Sequence, residues 1–581
     1  MAVYRSDQAQ LTFAAEAAAG GAIEVNTTAT AAGTPFNQAL TAAAPAGQRY
    51  ITVAANTAAT VGTHIKIGPG TGSTFTANKN TEVRRIEFIE GLTIYLDVPL
   101  GFYHAATDIA LEVNAVASVA ADQAITQIPG IYETIDTPDP EMAIEPRYFL
   151  GTQSKRNWFA SYKGQQTYTG SVSGIIPLNA APFRFPIGSM VDVPASAAAY
   201  TSPILLKGAA KKGDVWLNMD VAGSDQAVVA GQIIYFAAAG GTAIVAAGAT
   251  VERETAAIAA NATVESGGTK VRLKTPLRYD HADNEAVLLV TAAAATPITH
   301  HIFEQIDLDS VSWHVHMRDS GETSANDFDR RYYGGKIGAT TLTAEEGGML
   351  TMGWDGVNFL GMVHNQKTGQ DFSAVDATTD QAIPFYTLMQ SIDASSVNFP
   401  TNDPFYFSQG QVKMFGETIA RIRNFSLSIS NNEEPRYYIS RQLGKRRGPT
   451  EIREQRREYS LAVTLALPDS GAANTARKTL WSELLLEGDY GAGMRGFNVE
   501  LRFDRAVGDN LIIRIPDDYD TSTGTVAAQN FSGAQTGGNQ QGAFIRTAPH
   551  TITTDNPFQV EADILFRNMK LEIQDIKGDY V

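Results

Sequence analysis

Residues Ala420 to Ile439 read ARIRNFSLSISNNEEPRYYI. Within this stretch Phe425, Leu427 and Ile429 alternate with Ser426, Ser428 and Ser430. Neighbouring side chains of an extended strand point to opposite faces, so a period of two predicts a strand with one packed and one wet face. The pattern recurs outward from there. Leu461, Val463 and Leu465 alternate with Ser460, Ala462 and Thr464, and Val499, Leu501 and Phe503 with Glu500, Arg502 and Asp504. Trp313, Val315 and Met317 alternate with His314, His316 and Arg318. Half-wet strands of this kind belong to antiparallel sheets. From Thr475 to Glu487 the period changes: Leu480 and Leu484, like Trp481 and Leu485, are four apart, with Asn474 placed to cap the start and Gly488 to end the turn. The expected fold class is mainly β, with one or two helices.

The chain has 581 residues, room for about four domains. It has no cysteine, which excludes disulfides, thiolate metal sites and thiol catalysis. Its 45 Lys and Arg against 62 Asp and Glu leave a net charge of -17. Wrapping DNA needs clustered cations, so this acidity argues against it, yet suits a surface past which DNA slides. The opening MAVYRSDQAQ is polar, with Arg5 and Asp7, so no signal peptide is expected. No run of about 18 apolar residues occurs, so no membrane helix is expected either.

Residues 41–115 and 203–295 are rich in Ala, Thr and Gly with short Val/Ile strands, and they resemble each other. Pro99-Leu100-Gly101-Phe102-Tyr103-His104-Ala105 matches Pro276-Leu277-Arg278-Tyr279-Asp280-His281-Ala282, each after a strand-like segment. They read as two copies of one small β domain. A second repeat links Glu145-Pro146-Arg147-Tyr148-Phe149-Leu150 to Glu434-Pro435-Arg436-Tyr437-Tyr438-Ile439. The expected division is an N-terminal arm, 1–40; small domain A, 41–115; a first module in two parts, 116–202 and 296–370; small domain B, 203–295, inserted between those parts; a polar connector, 371–410; and a second module, 411–581.

Few residues suggest chemistry. His300, His301, His314 and His316 cluster, and His314 and His316 share a strand face that could present two imidazoles to a metal. Without cysteine, and with Asp307 and Asp309 on a separate segment, a polar face at an interface or wet channel is the preferred reading. Gly68-Pro69-Gly70-Thr71-Gly72 has the wrong register for a dinucleotide loop, and Gly170 to Gly174 lacks the junction of a nucleophile elbow. No pair of carboxylates suits a glycosidase, so no catalysis, cofactor or metal is expected. The basic run Arg441, Lys445, Arg446, Arg447, Arg453, Arg456 and Arg457 is broken by Gly444 and Gly448-Pro449, which predicts a hairpin or extended loop. Three readings stand: an arm docking on an acidic face of a neighbouring copy, which is favoured, a DNA contact, or a solvated loop.

These residues together resemble a family, the bacteriophage tail tube proteins. The resemblance lies in Ser6 to Glu16, in Gly164 to Gly174 (GQQTYTGSVSG), in Phe303 to Val315, and in Gly334 to Trp354. It continues through Ala420 to Ile439, Tyr459 to Leu467 and the 475–487 segment. It implies a β-sandwich with a flanking helix and long hairpins, subunits joined into rings by a shared barrel, and rings stacked into a tube through which DNA passes without specific binding. It also implies tape measure, terminator and baseplate partners, synthesis in the host cytoplasm and residence in the virion tail. His314, His316, Ser426, Ser428 and Ser430 are then candidates to face the lumen. The chain is long for one tube module. Two modules in tandem would make three chains a pseudo-sixfold ring, and a single module would make a hexamer. The small domains would be outer decorations. The rival is another virion β protein, of baseplate or fibre, whose small domains bind carbohydrate or a surface.

Overall fold

The computed structural model describes residues 4–18, 35–113, 128–147, 160–195, 204–220, 228–237, 253–290, 297–319, 328–364, 402–438, 448–466, 499–515, 519–520, 525–526, 543–551 and 559–575, apart from 17, 77–78, 97, 130, 266–267, 415–416, 420–421 and 567 within them. The Ile422–Ser430 strand sits where its alternation puts it. Phe425, Leu427 and Ile429 are buried, and Ser426, Ser428 and Ser430 lie half-exposed on the other side. The strand pairs antiparallel with Phe328–Glu345 on one side and Glu458–Ala466 on the other, and Gln559–Phe566 follows next. Phe328–Glu345 is the branch point. Its first half pairs with Val311–Asp319, which carries Tyr4–Ala15, so the expected N-terminal arm supplies a strand here. Its second half pairs with Thr351–Asn358, followed by Thr169–Ile175 and Thr134–Asp136.

A second sheet runs Gly188–Pro194, Ile298–Glu304, Lys570–Asp575, Asp509–Ile515, Val499–Ala506, Gly410–Met414 and Glu417–Ile419. The two sheets bury one continuous core. Val172, Trp354, Leu342, Leu427, Leu461 and Ile564 enter it from the first sheet, and Met190, Ile302, Leu571, Ile513, Leu501 and Val412 from the second. Each such aliphatic or aromatic side chain contributes about 1.5–3 kcal/mol when fully buried. The two expected modules both contribute to each sheet: Phe328–Glu345 pairs with Ile422–Ser430, and Ile298–Glu304 with Lys570–Asp575. Phe405, from the end of the expected connector, is fully buried in the same core.

The helix expected over 475–487 lies outside the described residues. A short helix that the periodicity did not single out, Ala181–Ile187, packs Phe183, Phe185 and Ile187 into the core, with Phe185 edge-on to Trp354 at 6.1 Å.

The two small domains have the same strand order. Domain A arranges Asn37–Ala39, Ile109–Val113, His64–Gly68, Glu82–Glu90, Thr93–Leu96 and Tyr50–Thr52 in sequence across its sheet. Domain B arranges Ile204–Leu206, Ala286–Val290, Ile233–Ala237, Thr255–Glu265, Gly268–Leu273 and Trp216–Asp220 in the matching order and closes into a barrel. The repeated heptapeptides occupy matching places. The His104 and Ala44 backbones exchange hydrogen bonds at 2.9 Å, and those of His281 and Ala210 do so at 2.8 and 2.9 Å.

Candidate lumen face and basic hairpin

The wet side of the first sheet is a broad polar face. Its register places Thr134 and Asp136 beside Ser173 and Ser171. Further on, Thr343, Thr341 and Ala339 lie between Thr351, Gly353 and Asp355 on one flank and Ser426, Ser428 and Ser430 on the other. Ala462, Ser460 and Glu458 come next, then Glu561, Asp563 and Leu565, the last a leucine 38% exposed opposite Ser460. Period two produces this face directly: each of these residues alternates with a core residue such as Val172, Trp354, Leu342, Leu427, Leu461 or Ile564. Small hydroxyls and alanines keep it low, and the interspersed acids Asp136, Asp355, Glu458, Glu561 and Asp563 make it negative. Arg546 on the neighbouring strand is held by Asp563. A surface of this composition repels phosphate and offers no cation cluster to grip it.

The structure places Ser426, Ser428 and Ser430 on this face. His314 is paired in register with Thr12 and Arg331 and is 3% exposed, covered within its own chain. The His316 side chain is outside the described set. His300 and His301 are elsewhere, on the second sheet: His300 Nδ1 lies 2.6 Å from Asp192, and His301 faces Glu572.

Among the described residues, Arg453 of the basic run lies on a short antiparallel ladder. Glu434–Arg436 pairs with Glu451–Arg453, and Tyr437 donates from its hydroxyl to the Gln166 carbonyl at 3.3 Å. Arg453 and Arg456 are exposed. Arg457 is tied into its own chain. It donates to Asn431 Oδ1 at 2.7 Å, to the Ile187 carbonyl at 3.1 Å and to the Gln305 carbonyl at 3.3 Å. Arg441, Lys445, Arg446 and Arg447 lie outside the described residues. At the hairpin base Lys336 pairs with Glu454, which also accepts from the Leu308 amide at 2.8 Å. Burial pushes the neighbouring Glu433 carboxyl up to about 8.

A second hairpin, Glu141–Arg147 with Ala160–Thr167, carries the other copy of the Glu-Pro-Arg repeat, and Ile144 on it is 61% exposed. Each repeat hairpin leads into a strand of the polar face. After the first comes Thr169–Ile175, flanked by Thr134–Asp136 and Thr351–Asn358. After the second comes Glu458–Ala466, flanked by Ile422–Ser430 and Gln559–Phe566.

Sequence reasoning missed a set of buried charges in the small domains. His104 lies between Glu82, at 2.6 Å, and Asp108, at 3.2 Å; His281 lies between Glu254, at 2.8 Å, and Glu285, at 3.1 Å. Glu82 also accepts from the Gly101 and Phe102 amides, and Glu254 from the Arg278 and Tyr279 amides. Burial opposes a charge on either histidine, but the flanking carboxylates outweigh it and hold both near 9. These clamps are closed to solvent and structural. Among the described residues no group of three or more His, Asp or Glu is placed to hold a metal.

The sequence model of a family described as phage tail tube protein matches residues 159–560. The match spans the polar face strands from Thr169–Ile175 to Glu458–Ala466, the basic hairpin and domain B, and leaves Thr134–Asp136, most of Gln559–Phe566 and domain A outside it. No curated protein matches the chain.

Proposed function

The chain belongs to the phage tail tube protein family and is a structural component of the virion tail; on that premise we propose that copies of it close into rings whose lumen is the polar face, and that the rings stack into the tube through which DNA travels. The observation that carries this reading is the register of small polar and acidic residues from Thr134 to Asp563 across one sheet. Ser426, Ser428 and Ser430 face the lumen, with His314 and His316 on a flanking strand. Closing the sheets around a ring removes exposed edges that would otherwise pair without control.

Two modules in tandem make three chains a pseudo-sixfold ring. The matched hairpins, each leading into the middle strand of a three-strand unit of the polar face, support this. Arg441, Lys445, Arg446, Arg447, Arg453 and Arg456 dock on an acidic surface of a neighbouring copy, and Arg457 anchors the arm to its own body. The subunit performs no catalysis. The small domains ride on the outside, since either one inside would block the lumen. Tape measure, terminator and baseplate proteins meet the tube at its ends.

The test is negative-stain electron microscopy of the purified chain across concentration, beside a variant with Arg446, Arg447, Arg453 and Arg456 all changed to Glu. Hollow tubes from the parent and rings or monomers from the variant are expected. Tubes from both would sink the docking assignment. A discrete assembly without a central hole would move the chain to a baseplate or fibre role.

A further inference from the structure

Domain A reaches the root of the basic arm. Val98, just after its Thr93–Leu96 strand, joins Tyr333, Leu360 and Ile452 in one buried cluster. Ile452 belongs to the arm's second strand and is paired there with Pro435. Among the described residues the arm's ladder is three residues a side, too short to hold a direction alone. Period two leaves Glu451 and Arg453 exposed and turns Ile452 inward, so this side chain is where the ladder is fastened. A second contact backs the first: the Arg49 guanidinium of domain A lies over the Tyr333 ring, 5.9 Å from its centre. The arm's other end is equally close-set. A Cβ on Gly448 would stand 3.0 Å from the Tyr168 ring and 3.3 Å from the Leu360 carbonyl.

We propose that domain A is a buttress for the basic arm, holding its base in the direction from which the arm meets a neighbouring copy. The proposal rests on the docking reading above. It gives a domain outside the family match a part in assembly. Val98, Arg49 and Ile452 are positioning residues, and the arginines make the contact.

The experiment compares the full-length chain with Val98→Asp, Ile452→Thr, the conservative Val98→Ile, and Val61→Asp on an exposed part of domain A. Three things are read: trypsin cleavage at Arg441 to Arg447 in unassembled protein, tube formation, and hydrogen exchange in the His64–Gly68 strand as a check on domain A. Val98→Asp and Ile452→Thr are expected to speed cleavage about tenfold and to abolish tubes, while Val98→Ile and Val61→Asp behave as the parent. Ile452→Thr also loses contact with Tyr333 and Leu360 of the body, so support for the buttress is read from the domain A side: faster cleavage with unchanged strand exchange in Val98→Asp, or in the milder Val98→Ala should Val98→Asp unfold the domain. Parental cleavage and normal tubes from Ile452→Thr would overturn it. The variant with Arg446, Arg447, Arg453 and Arg456 all changed to Glu serves as the separating control. Normal tubes from that variant would remove the docking reading, and the cleavage rates would still decide whether domain A steadies the arm.

Discussion

Domains A and B share a strand order and a clamped histidine, yet they are fastened to the body differently. Domain B is held by buried charge as well as by an apolar cluster in which Ile298 of the body meets Tyr235, Leu288 and Val290. Asp192 of the body pairs with Arg278, accepts from Thr255 at 2.8 Å and binds His300, while Lys212 of domain B reaches Asp309 at 2.7 Å. Burial opposes ionisation of Asp192, but Arg278 and His300 hold its carboxyl well below the usual range. Domain A is held by the Val98 cluster and a cation over a ring. The two domains also touch each other: Asn80 donates to Asp214 at 2.7 Å, and Phe102 packs with Val215. One small scaffold thus serves as a rigid extension in one place and as a lighter support in the other, the difference lying in the surface residues and not in the clamp.

The comparison is broken most severely at Asp192. Asp192→Ala strands Arg278 and His300 in a buried site, and losing one partner of such a network costs about 3–5 kcal/mol. Hydrogen exchange should rise throughout 204–290 and stay near parental in 37–113; equal loosening of both would contradict the contrast in attachment.

Next come the clamps. Both histidines are raised from 6.5 to about 9, so their contribution to stability is full below pH 6.5 and is lost as pH rises through 9. Both domains should therefore loosen together between those values. His104→Gln should remove the dependence from domain A alone, read as domain-resolved exchange against pH.

The seam follows with the same sign, in a window at lower pH. Burial raises Asp214 from 3.8 to about 7, with Lys79, His104 and Asp280 nearby. The docked form keeps its proton across that window, so the seam is tightest below pH 3.8 and weakens as pH rises to 7. Asp214→Asn should flatten that dependence, measured by exchange at the Asn80 and Val215 amides.

The smallest effect belongs to Arg49→Leu, expected to cost about 0.5–1 kcal/mol. It should appear as a slight rise in exchange at domain A's contact with the body.

Much of this architecture was legible. The alternation of Phe425 to Ser430 located both a core strand and a wet face, because a period of two leaves no other arrangement that buries the apolar set. The matched heptapeptides pointed to a repeat, and they lie at matching places in two units of one strand order. The clamps were half legible: His104 with Asp108 and His281 with Glu285 repeat one spacing of four, but Glu82 and Glu254 arrive from positions more than twenty residues away in sequence. The branch in Phe328–Glu345 was not legible, since its pairing partners depend on sequence separations that no local pattern records. Arg457 looked like its neighbours in the basic run, and its bonds to Asn431 Oδ1 and to the carbonyls of Ile187 and Gln305 distinguish it from the exposed Arg453 and Arg456.

The central claim is that one chain supplies two units of the polar face to a ring. Top-view electron microscopy of rings, with the chain count fixed by the mass of the ring against the 62.3 kDa subunit, tests it most directly. The account predicts three chains around a hole with pseudo-sixfold outline, and six chains around that hole would contradict it.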